Sequence, residues 1–185
     1  KAIWNPYTWI QWTKPKKELG DLWKERLIEW RKEPVTIRVQ RPTRLDRART
    51  LGYTAKKGVL IIRQRVPKGG HKRRDIAGGR RPKHFRDKMI LTKNYKVIAE
   101  ERANKKYPNC EVLNSYYVGE DGKQRWYEII MIDPRVSEIK NDPKYNFLLK
   151  KKGRVYRGLT SSGRKMRGLR NKGKGSEKVR PSSKA

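Results

Sequence analysis

The sequence predicts an α+β domain, a mixed and mainly antiparallel sheet of about four strands with helices against it, from which long basic extensions project. Two stretches with apolar residues at helical spacing, and four short runs rich in β-branched and aromatic residues, predict the folded part. The extensions follow from where the charge lies.

In residues 18–33, Leu19, Leu22, Trp23, Leu27 and Trp30 recur at helical spacing, and Pro34 ends the run, which predicts an amphipathic helix with its stripe facing a core. Val35, Ile37 and Val39 then alternate with Thr36, Arg38 and Gln40 between two prolines, as a half-buried strand does. Residues 58–66 read as a second strand through Val59, Leu60, Ile61 and Ile62. Tyr95, Ala99, Ala103 and Tyr107 stand four apart with Ile98 beside them, so residues 94–107 form a second helix, closed by Pro108. Residues 112–118 and 125–132 are strand-like and flank the turn signal Glu120, Asp121, Gly122, which predicts a hairpin that Asp133 and Pro134 end.

The chain has 185 residues and a formal charge of +32, with 37% charged side chains against about 25% in ordinary globular domains. Residues 1–40 are net +4 and residues 94–149 are neutral, while residues 41–93 are net +15 and residues 150–185 net +13. A compact state with that charge repels itself unless it meets a polyanion. The two basic segments are single-signed and Gly-rich, with no helical face to solvate. Residues 67–93 carry Gly69, Gly70, Gly78 and Gly79 among their cations; Gly158, Gly163, Gly168 and Gly173 recur every five residues in the tail. That spacing suits a backbone running close to phosphates with arginines projecting to both sides. Irregular arms also suit folded RNA better than duplex DNA, whose readers present a helix or ribbon at fixed spacing. The expected organisation is one RNA-binding domain over residues 1–149 with an internal arm at 67–93, followed by an extension at 150–185 that orders only on RNA.

Several other chemistries are excluded. Cys110 stands alone, which rules out an internal disulfide and a cysteine-based metal cluster, fits a reducing compartment, and reads as a small packing residue. No run approaches the roughly 18 apolar residues of a membrane span, and the first dozen residues lack a signal-peptide core, so a soluble protein is expected. Gly168, Leu169, Arg170, Asn171, Lys172, Gly173 and Lys174 nearly spell a phosphate-binding loop, but Gly175 replaces the magnesium-binding hydroxyl and no strand precedes it. His71 and His84 lie among cations with no carboxylate partner, so neither a metal nor another cofactor is expected. Adjacent Glu100 and Glu101 point to different helix faces and are expected to solvate that helix, not to form a catalytic pair. Trp4, Tyr7, Trp9 and Trp12 could stack on bases, but packing against the first helix accounts for most of them.

Three stretches resemble one family. Arg41, Pro42, Thr43, Arg44, Leu45, Asp46, Arg47, Ala48 and Arg49, followed by Gly52, Tyr53 and Ala55, form the first. The hairpin Leu113, Asn114, Ser115, Tyr116, Tyr117, Val118, Gly119, Glu120, Asp121, Gly122 forms the second, and Arg157, Gly158, Leu159, Thr160, Ser161, Ser162, Gly163, Arg164, Lys165 the third. Together they are similar to the archaeal and eukaryotic large-subunit ribosomal protein family fifteen-e, in its archaeal branch. The resemblance implies a three-layer α/β/α domain and a non-catalytic constituent of the cytoplasmic large ribosomal subunit. Its implied partners are large-subunit ribosomal RNA and neighbouring large-subunit proteins, with no membrane and no homo-oligomer. The RNA contacts it implies, joined to the basic clusters, begin with Arg41, Arg44, Arg47, Arg49, Lys56 and Lys57. In the arm they are Lys68, His71, Lys72, Arg73, Arg74, Arg80, Arg81, Lys83 and Arg86. In the tail they are Arg154, Arg157, Arg164, Lys165, Arg167, Arg170, Lys172, Lys174 and Arg180.

Overall fold

A computed structural model of the chain describes residues 8–75, 77–80, 84–89 and 91–178. Short helices α1 (Thr8–Gln11) and α2 (Pro15–Glu18) lead into α3 (Gly20–Lys32), strand β1 (Thr36–Val39), α4 (Leu45–Thr50) and strand β2 (Val59–Pro67). A two-residue ladder, β3 (His71–Lys72) with β4 (Lys88–Met89), follows, then α5 (Tyr95–Lys106), β5 (Glu111–Glu120) and β6 (Gln124–Ile132). Helices α6 (Ser137–Lys140), α7 (Asn146–Leu149) and α8 (Ser161–Met166) and a 3₁₀ turn (Ser176–Lys178) complete the described chain.

The main sheet has strand order β1-β2-β6-β5 and every pairing is antiparallel, so the parallel component allowed for in a mixed sheet is absent from it. Alternation along the two central strands builds a core on each face. Ile62, Val66, Tyr127, Ile129 and Met131 pack with Ala99 and Ala103 of α5 on one side. Ile61, Trp126 and Ile130 pack with Trp23 and Trp30 of α3 and Ala48 of α4 on the other. The result is helix, sheet, helix. A register shift beside Leu113 turns Val112 to the α5 face while Tyr116 and Val118 join the α3 face, as a bulge does by inserting one residue. At Gly119 an added Cβ would lie 2.6 Å from the Trp23 ring, so glycine there lets the indole rest on the strand.

Several expectations change on this scaffold. Leu22 is exposed, because it sits one residue, about 100°, away from the Trp23 and Trp30 stripe. Trp12 packs edge-on to Trp23 at 6.0 Å, at the end of a ladder that continues to Trp30 and Trp126. Trp4, Tyr7 and the side chain of Trp9 lie outside the described residues. Cys110 is buried in the α5-side core, where burial pushes its thiol up to about 11. Helix α4 has no apolar stripe to advertise it; only Ala48 is buried. The larger correction concerns the tail. Val155 enters the α5-side core, Thr160 and Ser162 are buried, and Gly163 lies so close to Gly158 that an added Cβ would stand 2.7 Å from its Cα. The five-residue glycine spacing thus folds the tail on itself over α5, where a free arm was expected.

Candidate nucleic-acid interface

Two buried carboxylates hold the basic segments in place. Glu128 of β6 is fully buried; it accepts the Thr43 N–H at 3.0 Å, the Thr43 hydroxyl, and the Tyr116 hydroxyl at 2.6 Å. Burial raises its carboxyl above the ordinary carboxylate range, and these hydrogen bonds and the Arg63 guanidinium, 3.9 Å away, oppose that rise. Thr43 opens the segment that becomes α4, so Glu128 fixes how Arg41, Arg47 and Arg49 emerge, all three exposed. Arg44 is half-buried over the Trp12 ring at 5.1 Å, 3.6 Å from Asp46.

On the opposite face Glu100 of α5, also fully buried, accepts from Ser115 Oγ of β5 and from Thr160 Oγ1 at 2.7 Å. The residue expected to solvate α5 is therefore its tie to the tail, while Glu101 is the partly exposed partner of Lys93. Thr160 in turn caps α8 by accepting the Gly163 N–H at 3.2 Å. Asn94 caps α5, accepting from Val97 N–H at 2.9 Å, and donates to the Ser162 carbonyl at 3.5 Å. Arg170 donates to the Ser161 hydroxyl, and α8 presents Arg164 and Lys165 to solvent.

Both pinned segments act electrostatically on a residue the sequence did not single out. Burial holds the Lys96 ammonium below its usual range; Glu100 opposes this, and the positive charges of Arg47, Arg170 and Lys165 add to it. Cations from α4 and the tail thus act on the same ammonium of α5. Lys96 escaped notice because it belongs to the net-neutral block. Its one signal is position: a cation in the first turn of α5 opposes the helix dipole. Among the described residues no carboxylate lies within ion-pair distance of Arg41, Arg47, Arg49, Arg164 or Lys165.

Other sequence-named cations divide by environment. Lys57, His71, Arg73, Arg74, Arg80, Arg86, Lys172 and Lys174 are exposed. Lys56 is exposed but bonded to Asp142 at 2.6 Å, which raises the lysine and lowers the aspartate. Lys72 lies 3.4 Å from Asp75, and Lys68 lies 3.6 Å from Glu120 while donating to the Asp121 carbonyl. Arg157 is exposed and donates to the Lys152 carbonyl, and half-buried Arg167 rests its stem against Gly158. Arg154 differs from the others in its surroundings: it is 9% exposed, donates to the Val112 carbonyl at 2.7 Å and covers the Phe147 ring. Its Nη1 donor holds the tail to β5. Arg81, Lys83 and Arg180 lie outside the described residues.

What this arrangement can do is bind a polyanion over a broad face whose cations are already positioned. Comparison with known proteins gives the family. The family described as Ribosomal L15 matches residues 6–185. The chain is 54% identical over 173 residues, 92% of its length, to the large ribosomal subunit protein eL15 of Nanoarchaeum equitans (strain Kin4-M), 91% of which is covered. The resemblance carried by the three signature stretches is thereby established, and the chain belongs to the L15e family of ribosomal proteins.

Proposed function

We propose that this chain is a non-catalytic constituent of the large ribosomal subunit that stabilises folded ribosomal RNA by neutralising phosphates where RNA segments crowd together, beside neighbouring large-subunit proteins. The observation that supports it is the convergence of positive charge from Arg47, Lys165 and Arg170 on Lys96, together with exposed arginines that have no carboxylate within ion-pair distance among the described residues. Such a cluster repels itself in the free protein and is relieved by phosphate, with the arginine fork giving paired hydrogen bonds. The exposed cations of the arm and of residues 172–174 add further positive charge.

Filter binding of the full chain to large-subunit RNA across a salt series tests the reading. About ten phosphate contacts give a log–log slope of roughly −7 to −9, between the single-strand and duplex coefficients. Replacing Arg47, Lys165 and Arg170 with Ala should flatten the slope by roughly 2 to 3 and weaken entry into subunits. A parental slope near −2 would refute phosphate neutralisation as the chain's main work.

A further inference from the structure

A cleft of about 480 Å³ opens where β5 begins and β6 ends, bordered by the last residues of α6 and α7 and by the start of the tail. Its volume falls within the about 300–1,000 Å³ of small-ligand sites. Pro108, Pro134 and Leu149 line it beside Glu111, together with Arg135, Lys140 and Lys152. We propose that this cleft takes one unstacked guanine of the RNA, with its N–H edge on the Glu111 carboxylate and its phosphates on Arg135, Lys140 and Lys152. The proposal rests on the RNA-binding reading above and concerns residues which that reading does not use.

Among the described residues three glutamates are buried. Glu128 and Glu100 each have both carboxylate oxygens in hydrogen bonds, as a desolvated anion requires. Glu111, 7% exposed, differs: Oε1 accepts the Gly153 N–H at 2.9 Å, while the buried Oε2 has no hydrogen-bond partner. A carboxylate only accepts, so what completes Oε2 is a donor. The cations of the cleft do not supply it. Arg135, Lys140 and Lys152 are exposed, and among the described residues none lies within ion-pair distance of Glu111 or of any other carboxylate. The fitting occupant therefore brings a hydrogen-bond donor for Glu111 and negative charge for the rim, and a nucleotide has both. Guanine presents N1–H and N2–H side by side, matching the two lone pairs of one carboxylate oxygen. Uracil offers a single N–H between two carbonyl oxygens, which a carboxylate repels. The apolar surfaces of Pro108, Pro134 and Leu149 take the place of the neighbours that an unstacked base has lost. The terminal torsion of a glutamate is broad, so a small rotation presents Oε2 to the base without releasing Gly153.

The full chain is titrated at fixed salt with guanosine 5′-monophosphate, uridine 5′-monophosphate and inorganic phosphate, followed by nuclear magnetic resonance, and circular dichroism melting confirms the fold of each variant. The guanosine nucleotide should shift the Glu111 and Gly153 amides and bind roughly 10-fold or more tighter than the uridine nucleotide, as a hydrogen bond to a charged group allows. Glu111→Gln keeps an acceptor for Gly153 but loses the charge. It should weaken the guanosine nucleotide roughly 5- to 10-fold and leave the uridine nucleotide unchanged. Should Glu111→Gln misfold, the exposed pair Lys140→Ala with Lys152→Ala should weaken both nucleotides alike and keep the preference between them. A folded Glu111→Gln that binds the guanosine nucleotide like the parent overturns the proposal, as do equal parental affinities for the two nucleotides, or a folded lysine pair that binds both like the parent. So does a protein, in place of RNA, found crosslinked at Lys140 and Lys152 in native subunits. In each of those results a steep parental salt slope on large-subunit RNA leaves the wider RNA-binding reading standing. A parent with a slope near −2 and no preference between the nucleotides brings down both.

Discussion

Glu100→Ala tests the tie between the tail and the domain. The carboxylate is fully buried and accepts from two hydroxyls, Ser115 on β5 and Thr160 in the tail. Removing it leaves both donors dry, at about 1–3 kcal/mol for each unsatisfied buried group, so about 2–6 kcal/mol together. Relief of the desolvated anion offsets part of that loss, while the chain's +32 charge makes any lost negative charge costlier. Glu100→Gln keeps the shape and one acceptor and should cost about 1 kcal/mol, the net worth of one hydrogen bond. In a chain of this size each kcal/mol lowers the melting temperature by about 2–4 °C, so the alanine variant should melt at least about 4 °C below its parent. Because Thr160 also caps α8, the tail should loosen before the sheet does, and trypsin should cut at Arg164 and Lys165 faster than in the parent. A double-mutant cycle with Thr160→Val isolates the bond itself. An alanine variant that melts within about 0.5 kcal/mol of the parent and is cut at the parental rate refutes the tie.

Four further outcomes follow from other positions. Gly163→Ala places a Cβ 2.7 Å from the Gly158 backbone, which should cost about 1–3 kcal/mol and appear as faster tail proteolysis with an intact sheet. Ile130 is fully buried on the α3 face, so Ile130→Asp should unfold the domain by several kcal/mol, read by circular dichroism; Arg164→Ala with Lys165→Ala, on exposed positions, should leave melting unchanged and weaken RNA binding. Burial holds the Glu128 carboxyl above its unfolded value, so between those two values the folded state carries more protons and stability falls as pH rises. Urea midpoints should therefore increase as pH drops from neutral toward the ordinary carboxylate range, and Glu128→Gln should abolish that slope.

Much of the fold was legible because hydrophobic periodicity is local. The Trp23 and Trp30 stripe, the alternation through Ile61 and Ile62, the four-residue spacing of Ala99 and Ala103, and the turn at residues 120–122 each report an element from a few neighbouring residues. The partner class was legible for a different reason: net charge and its segregation need no coordinates, and +28 of the +32 lies in two segments. What hydrophobicity did not report were contacts made by polar groups and by backbone. Thr160, Ser162, Gly158 and Gly163 carry no apolar signal, so the tail read as a free arm, whereas a carboxylate on α5 and a glycine-to-glycine contact fold it onto the domain.

Composition likewise could not separate Arg154 from Arg164. Both are arginines in one basic tail, yet the first is turned to the Val112 carbonyl and the second to solvent. From the sequence alone came a four-stranded α+β core and a polyanion as partner, because side-chain period and charge are properties of the chain itself. Only the tertiary structure decided which cations face outward, that Lys96 feels the charges of Arg47, Lys165 and Arg170, and that Glu100 and Glu128 are internal ties. Burial and pairing are set by segments distant in the chain, and a local pattern carries no record of which segment will arrive.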